Sequence, residues 1–300
     1  MNHDPSSKEG NSAPSIRSIN VLERHVTMIT RPSFSILSAI LLFSLSPFQL
    51  LAHESDTIAV PGAKRVLVFS GTGWYRHPEI PLVNGWLVRL GGANGFQVDV
   101  TETAKDISAK RLASYQVLVM NNCTELDKVF DEAQLEAIEA WYRAGGGIVA
   151  LHAALVHQQK WAWFHELAGC DFDSDSEFLE ARVVVDPGAK EHPTVAGQGG
   201  SFRYRADWTN HTRTVTGLPG VQVLLRVDET SYEPVRAFFQ RRGGQAMGED
   251  HPIAWLREWQ GGRFFYSELG HSLPSLETRF GRQHVLEGIR WAAGDQWTAK

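Results

Sequence analysis

The sequence predicts an α/β protein whose doubly wound, mostly parallel sheet is covered by helices on both faces. Three observations predict it. Short apolar runs without alternation recur through the first half, as strands buried on both faces require. Segments of helical period separate them. Each run empties into a polar loop, the place where open α/β sheets bind ligands.

The elements follow in order. Residues 64–70 (KRVLVFS) read as the first buried strand and lead into the glycine-rich loop GTGWYRHPEI. Residues 82–90 are amphipathic and predict a helix closed by Gly91-Gly92. Residues 96–100 alternate and read as a second strand, and 109–115 as a short connector of helical character. Residues 116–120 (QVLVM) are a third strand, followed by Asn121-Asn122-Cys123-Thr124. Residues 131–143 form a clear helix: Leu135, Ile138 and Trp141/Tyr142 share a face, Asp131 caps it, and Gly145-Gly146-Gly147 stops it. Residues 148–151 are a fourth strand running directly into His152.

The second half is less regular. Residues 178–186 alternate and predict an antiparallel or edge strand, and 221–227 another strand. The IAWLREW run from Ile253 fits either a helix or an extended segment. Residues 262–266 close the set of strands, and 283–293 form a last helix with Val285, Leu286, Ile289 and Trp291 as apolar contacts. Residues 64–294 contain no internal repeat.

With 300 residues, 43% hydrophobic and 21% charged, the chain suits one domain or at most two. A net charge of −5 gives no electrostatic case for nucleic acid. Ten Trp and fifteen Phe fit a large core or sugar-facing surfaces. Residues 1–27 read as a polar extension outside the fold and 28–52 as a signal peptide. In the latter, Met28 is a natural start, Arg31 precedes an apolar run over 34–51, and Ala52 ends it. Residues 53–63 are a linker, 64–294 the domain and 295–300 a tail. The protein is therefore expected to be exported, periplasmic or extracellular, touching a membrane only through the signal peptide. An uncleaved anchor is the competing reading, although the run barely reaches the ~18–20 residues of a span and contains Pro47. Cys123 and Cys170 either pair, as export allows, or remain separate buried thiols.

Polar residues at the strand ends are the candidates for chemistry. His152 follows a buried strand and precedes Ala153-Ala154, small residues that permit a sharp turn where hydrolase-like folds carry a nucleophile. Imidazole there can be acid, base or metal ligand. His77 lies in the loop after the first strand with Tyr75 and Arg76, the latter suited to a carboxylate or a sugar hydroxyl. In Asp207-Trp208-Thr209-Asn210-His211, Trp208 could stack on a sugar while Asp207 and Asn210 bind hydroxyls; alternatively they cap turns. Asp250, His251 and His271 complete the set. The expected catalytic residues are His152, His77, Asp207, His251 and His271, and the expected substrate contacts are Tyr75, Arg76, Trp208, Asn210 and Asp250. Several His with Asp can hold a divalent metal, but no HExxH or closely spaced His pair occurs, and the cofactor stays open. His165, His192 and His284 read as surface or structural. GxSxG, GxCxG, GxGxxG and P-loop motifs are all missing, so neither a serine or cysteine nucleophile nor a nucleotide has its usual mark.

In their order and spacing these motifs resemble the ThuA-like family, named for trehalose utilisation, over roughly residues 64–294. The residues that carry the resemblance are Tyr75-Arg76-His77, GGGIVALHAA with His152, WAWFHELAGCDF from Trp161, DWTNH from Asp207, MGEDHPIAW from Met247, GRFFYSELGH and the closing GIRWAAG. The resemblance implies a flavodoxin-like fold shared with class I glutamine amidotransferases. It does not imply amidotransfer, because His152 stands where those enzymes carry their cysteine. It implies a small-molecule saccharide as partner, a disaccharide such as trehalose or its 3-keto form, and a homo-oligomer is compatible with it. DWTNH is less acidic than the usual family loop, which leaves substrate choice open. The alternative is a non-catalytic sugar-binding module on a degenerate amidotransferase-like fold.

Overall fold

The computed structural model describes residues 64–294; the expectations for 1–63 and 295–300 lie outside the described residues. The first-half strands form where the apolar runs stand: β1 (Lys64–Phe69), β2 (Phe96–Thr101), β3 (Val117–Asn121) and β4 (Gly147–Leu151). Between them lie α1 (Ile80–Ala93), α2 (Ala109–Leu112) and α3 (Glu132–Arg143). Pro81 sits in the first turn of α1, where its missing N–H costs nothing. Asp131 caps α3 in a reciprocal box with Gln134, worth about 1 kcal/mol. The expected stop at Gly91-Gly92 is corrected, since α1 runs on to Ala93. Gly91 instead allows close packing: a Cβ there would lie 2.5 Å from Val98 Cγ2 and 2.8 Å from the Phe96 carbonyl oxygen.

The second half adds α4 (Ala162–Ala168), β5 (Phe172–Asp175), β6 (Leu179–Val185), β7 (Ser201–Ala206), β8 (Thr209–His211) and β9 (Val221–Asp228). It continues with α5 (Ala237–Gln240), β10 (Pro252–Trp259), β11 (Gly262–Ser267), α6 (Leu273–Leu276) and α7 (Arg279–Ala292). The IAWLREW run is strand. Its first five positions are buried, on both faces, which erases the alternation that would have marked it.

Among the described residues one nine-stranded sheet has the order β2-β1-β3-β4-β11-β10-β9-β6-β7, and β5 pairs with β8. The strands from β2 to β11 are parallel. β10, β9, β6 and β7 extend the sheet by antiparallel pairing. Successive residues of the parallel strands feed opposite cores. Val66, Val68, Val119 and Leu151 join Trp86 of α1 and Ile289 of α7 on one face. Leu67, Phe69, Met120 and Ile148 join Tyr142 of α3 and Phe164 of α4 on the other. Cys123 and Cys170 are both free, buried thiols in that second core, so the pairing alternative falls away.

The chain order reverses between β1 and β3, a topological switch point. Because β1, β3, β4 and β11 run in one direction, the loops that follow them gather at a single sheet edge. Buried amides tie those loops together. Asn84 Oδ1 accepts from Ser70 Oγ and Asn121 Nδ2, both at 2.8 Å, and Asn122 Nδ2 donates to Asn121 Oδ1 at 2.8 Å and to the Gly270 carbonyl at 3.2 Å.

Candidate functional site

β4 ends at Leu151, and His152 takes a left-handed φ of 49° before a tight turn through Leu155. That conformation costs a non-glycine residue of order 1 kcal/mol or more and concentrates at functional sites. It aims a 5%-exposed imidazole into the sheet edge. Glycine makes room for the neighbouring turn: a Cβ on Gly270 would lie 3.2 Å from His152 Cβ.

His152 is held from both sides. Nδ1 lies 3.0 Å from Glu268 Oε1, and Nε2 lies 3.1 Å from His271 Nδ1 and 3.6 Å from Asp207 Oδ2. Asp207 Oδ2 is also 2.8 Å from His271 Nδ1. Glu268 is fully buried and accepts from Thr209 Oγ1 at 2.6 Å and from the Tyr266 hydroxyl. The His77 ring stacks edge-on to both other imidazoles, with centroids 4.9 Å from His152 and 5.3 Å from His271.

The electrostatics separate these groups. Burial alone would depress the His152 imidazole, but Asp207 and Glu268 outweigh it and lift it to about 9. His77 has burial and the two neighbouring imidazoles against its charge and falls to about 3. Burial also opposes ionisation of Asp207 and Glu268, yet the adjoining imidazoles hold Asp207 far below the usual carboxylate range and His152 holds Glu268 below it. Asp175 is pushed up to about 7 by burial, against the pull of Arg236, whose Nη2 lies 3.1 Å away.

These groups line a cleft of about 360 Å³, within the range of small-molecule sites. Its walls include Trp74, Tyr75, Phe172, Phe238 and Phe239. Trp74, Tyr75 and Phe238 are about half exposed at the mouth. The cleft therefore combines aromatic walls, suited to the apolar face of a sugar ring, with acid, base and cation-binding groups at its floor.

The structure brings together His77, His152, Asp207, His271 and Tyr75 of the sequence-derived set, and it separates the rest. His251 is fully buried outside the cleft, Nδ1 2.8 Å from Glu229 Oε1 and Nε2 2.8 Å from the Thr209 carbonyl, so it braces β8 from behind. Trp208 is fully buried and cannot meet a ligand. Asn210 is buried and donates to Ser174 Oγ at 3.1 Å and the Pro234 carbonyl at 2.8 Å. The reason is period two: Asp207 and Thr209 face the cleft, which turns Trp208 and Asn210 away. Arg76 pairs with Glu102 on the surface at 2.8 Å. Asp250 pairs with Arg226 at 3.0 Å and accepts from Thr214 and Thr216. Glu268, Thr209, Tyr266, Asp175 and Arg236 are site residues that sequence reasoning missed. The one available signal was Glu268, a carboxylate directly after an apolar strand and three residues before His271.

Comparison with known proteins gives this geometry its relatives. The profile of the ThuA family, described as trehalose utilisation, matches residues 65–292. Among solved structures, the chain is similar to a ThuA-like protein from Bacteroides uniformis, at 21% identity and a TM-score of 0.63 over 79% of this chain and 96% of that one. It is also similar to a ThuA-like protein from Parabacteroides merdae, at 18% identity and a TM-score of 0.56 over 79% and 92%. A cytoplasmic protein from Salmonella typhimurium follows at 13% identity and a TM-score of 0.51 over 75% and 99%. At these identities the likeness shows the fold alone. No curated protein matches the chain.

Proposed function

The chain belongs to the ThuA family of trehalose utilisation, and on that premise we propose that its cleft takes a disaccharide, trehalose or its 3-keto form, and breaks it down by proton transfer. The observation that carries this reading is the buried triad of Glu268, His152 and Asp207 opening into an aromatic-walled cleft. A binding module has no use for a strained, buried imidazole backed by a buried carboxylate. A general acid has, because the carboxylate orients the ring and stabilises its charge.

In the 3-keto form, the C3 carbonyl acidifies the C2 hydrogen. A base removes that hydrogen, the electron pair forms a C1–C2 double bond, and the C1 oxygen leaves with a proton from an acid. His152 is the positive, proton-donating ring in this scheme and Asp207 the carboxylate that faces the same space. Hydrolysis asks for the same pair, with water entering at C1. Export through residues 28–52 belongs to the same proposal; a mature N-terminus at His53 outside the cytoplasm supports it, and a full-length cytoplasmic chain overturns it.

Pure protein is to be incubated with trehalose, other disaccharides and their 3-keto derivatives, with products read by mass. Turnover is expected, and His152→Ala is expected to lower it by about 10²–10⁴-fold while circular dichroism stays unchanged. No turnover of any of these sugars, or full turnover by His152→Ala, sinks the reading. Calorimetric sugar binding that survives His152→Ala without product identifies a binding module instead.

A further inference from the structure

Several polar atoms of the cleft remain over once its hydrogen bonds are assigned, Glu79 Oε2 and two potential metal-ligand atoms among them. His77 Nδ1 and Asp207 Oδ1 are buried with no hydrogen-bond partner among the described residues. A buried polar atom left in that condition costs about 1–3 kcal/mol. Beside them His152 Nε2 and His271 Nδ1 face each other at 3.1 Å. Two ring nitrogens at that distance attract only with a positive particle between or beside them, a proton or a metal ion.

The donor set decides which class of ion fits. One ring nitrogen each from His77, His152 and His271 lie within 4.8 Å of one another. With Zn–N bonds of about 2.0–2.1 Å, two ligands of a tetrahedral zinc stand about 3.4 Å apart. The His152–His271 pair, at 3.1 Å, is close to that spacing, and the His77 ligand atom lies within 4.8 Å of both. Imidazole donors without a thiolate suit zinc and its first-row neighbours rather than magnesium or calcium. Glu268 supplies the remaining feature. A metal-bound histidine usually gives its other N–H to a carboxylate, which fixes the tautomer, and here the 3.0 Å contact to Glu268 commits Nδ1 and leaves Nε2 as the ligand atom.

We propose that His77, His152 and His271 hold one divalent transition ion of the zinc class, with its open position facing the cleft beside Asp207. The ligands come from the loops after β1, β4 and β11, which explains why no short spaced motif announces the site. With the ion bound, His152 would be a ligand and no longer the proton donor. The ion would supply the positive charge there and polarise a keto oxygen or a water, and the water would give the leaving oxygen its proton. Asp207 keeps its unpartnered oxygen as the neighbouring base. The site does not rest on the sugar reading.

The test uses the untagged full chain, stripped with a chelator and titrated with Zn²⁺ by calorimetry and with Co²⁺ by visible absorption. One equivalent of each is expected, with the strong d–d bands of four-coordinate cobalt. Since loss of a supporting residue alone weakens such sites 10–100-fold, His77→Ala and His271→Ala are each expected to weaken binding at least ~100-fold, with unchanged circular dichroism. Failure of the stripped protein to bind either ion overturns the site, even if sugar turnover is found. Binding that both variants leave unchanged overturns it as well. Ion binding that depends on these histidines upholds it, even if no sugar is turned over.

Discussion

Ser267 and Glu268 are neighbours at the end of β11, yet they point to opposite faces of the sheet and serve two very different histidines. On one face Ser267 Oγ meets His284 Nε2 at 3.0 Å, and the Thr194 carbonyl takes His284 Nδ1 at 3.0 Å. On the other face Glu268 and Asp207 bracket His152. Both imidazoles are buried to nearly the same degree. Burial pushes His284 down to about 4, while the carboxylates overcome burial and lift His152 to about 9. Depth therefore does not decide a histidine's state. The partners do: a carbonyl and a hydroxyl ask for a neutral ring, whereas two carboxylates ask for a cation, either a proton or a bound ion.

The largest expected effect comes from erasing that difference at its source. Glu268→Gln keeps the side-chain shape and can still meet Thr209 and Tyr266, but it removes the charge behind His152. Turnover of the responsive sugar is expected to fall by about 10²-fold or more, with kcat rather than KM carrying the loss, because Glu268 is shielded from substrate by His152. A purely structural Glu268 would lower the melting temperature and leave kcat of the folded fraction intact. That outcome would break the comparison.

Much of this was legible in the sequence, and what was missed has physical causes. β1, β3 and β4 declared themselves because an unalternated apolar run of four to six residues bounded by polar turns fits little besides a strand buried on both faces, whereas β2 showed itself by alternation. His152 was visible for the same reason, since a polar residue at the end of such a run has little choice but the sheet edge. β10 was ambiguous because burial on both faces removes the period that separates strand from helix. Glu268 escaped because its meaning lies in a partner 116 residues away. Trp208 and His251 misled because residue type was read without the face it points to. One belongs to the core side of an alternating segment, and the other is covered by β8.

Stability against pH is expected to show the two kinds of histidine as opposite slopes in chelator-treated protein. His211 and His284 are both depressed to about 4 by burial. Below their unfolded value of about 6.5 the unfolded chain binds more protons. Their contribution is therefore present above pH ~6.5 and lost as pH falls through about 4. His152 is raised, so its contribution is full below pH ~6.5 and is lost as pH rises through about 9. Urea midpoints should fall on both sides of near-neutral pH, with an alkaline limb of up to about 3 kcal/mol. Glu268→Gln should flatten the alkaline limb most, and it also removes the part of the acid limb that its own lowered carboxylate carries. Equal flattening of both limbs would mean that the two faces titrate as one unit.

The smallest effect tests the quiet face. Thr194 offers a carbonyl, which can only accept, so His284 Nδ1 carries the proton and Nε2 must accept from the Ser267 hydroxyl. Ser267→Ala leaves Nε2 buried without a donor and takes an acceptor from the Leu269 N–H, which lies 3.1 Å from Ser267 Oγ. These groups are buried away from water, and a cost of about 1–3 kcal/mol is expected in chemical denaturation. Turnover and ion affinity should stay within about twofold of the parent, since no bond from Ser267 reaches the cleft. A tenfold fall in either would show that the Leu269 amide transmits the disturbance one residue back to Glu268. The two faces would then be separate in their chemistry but joined through the backbone at the end of β11.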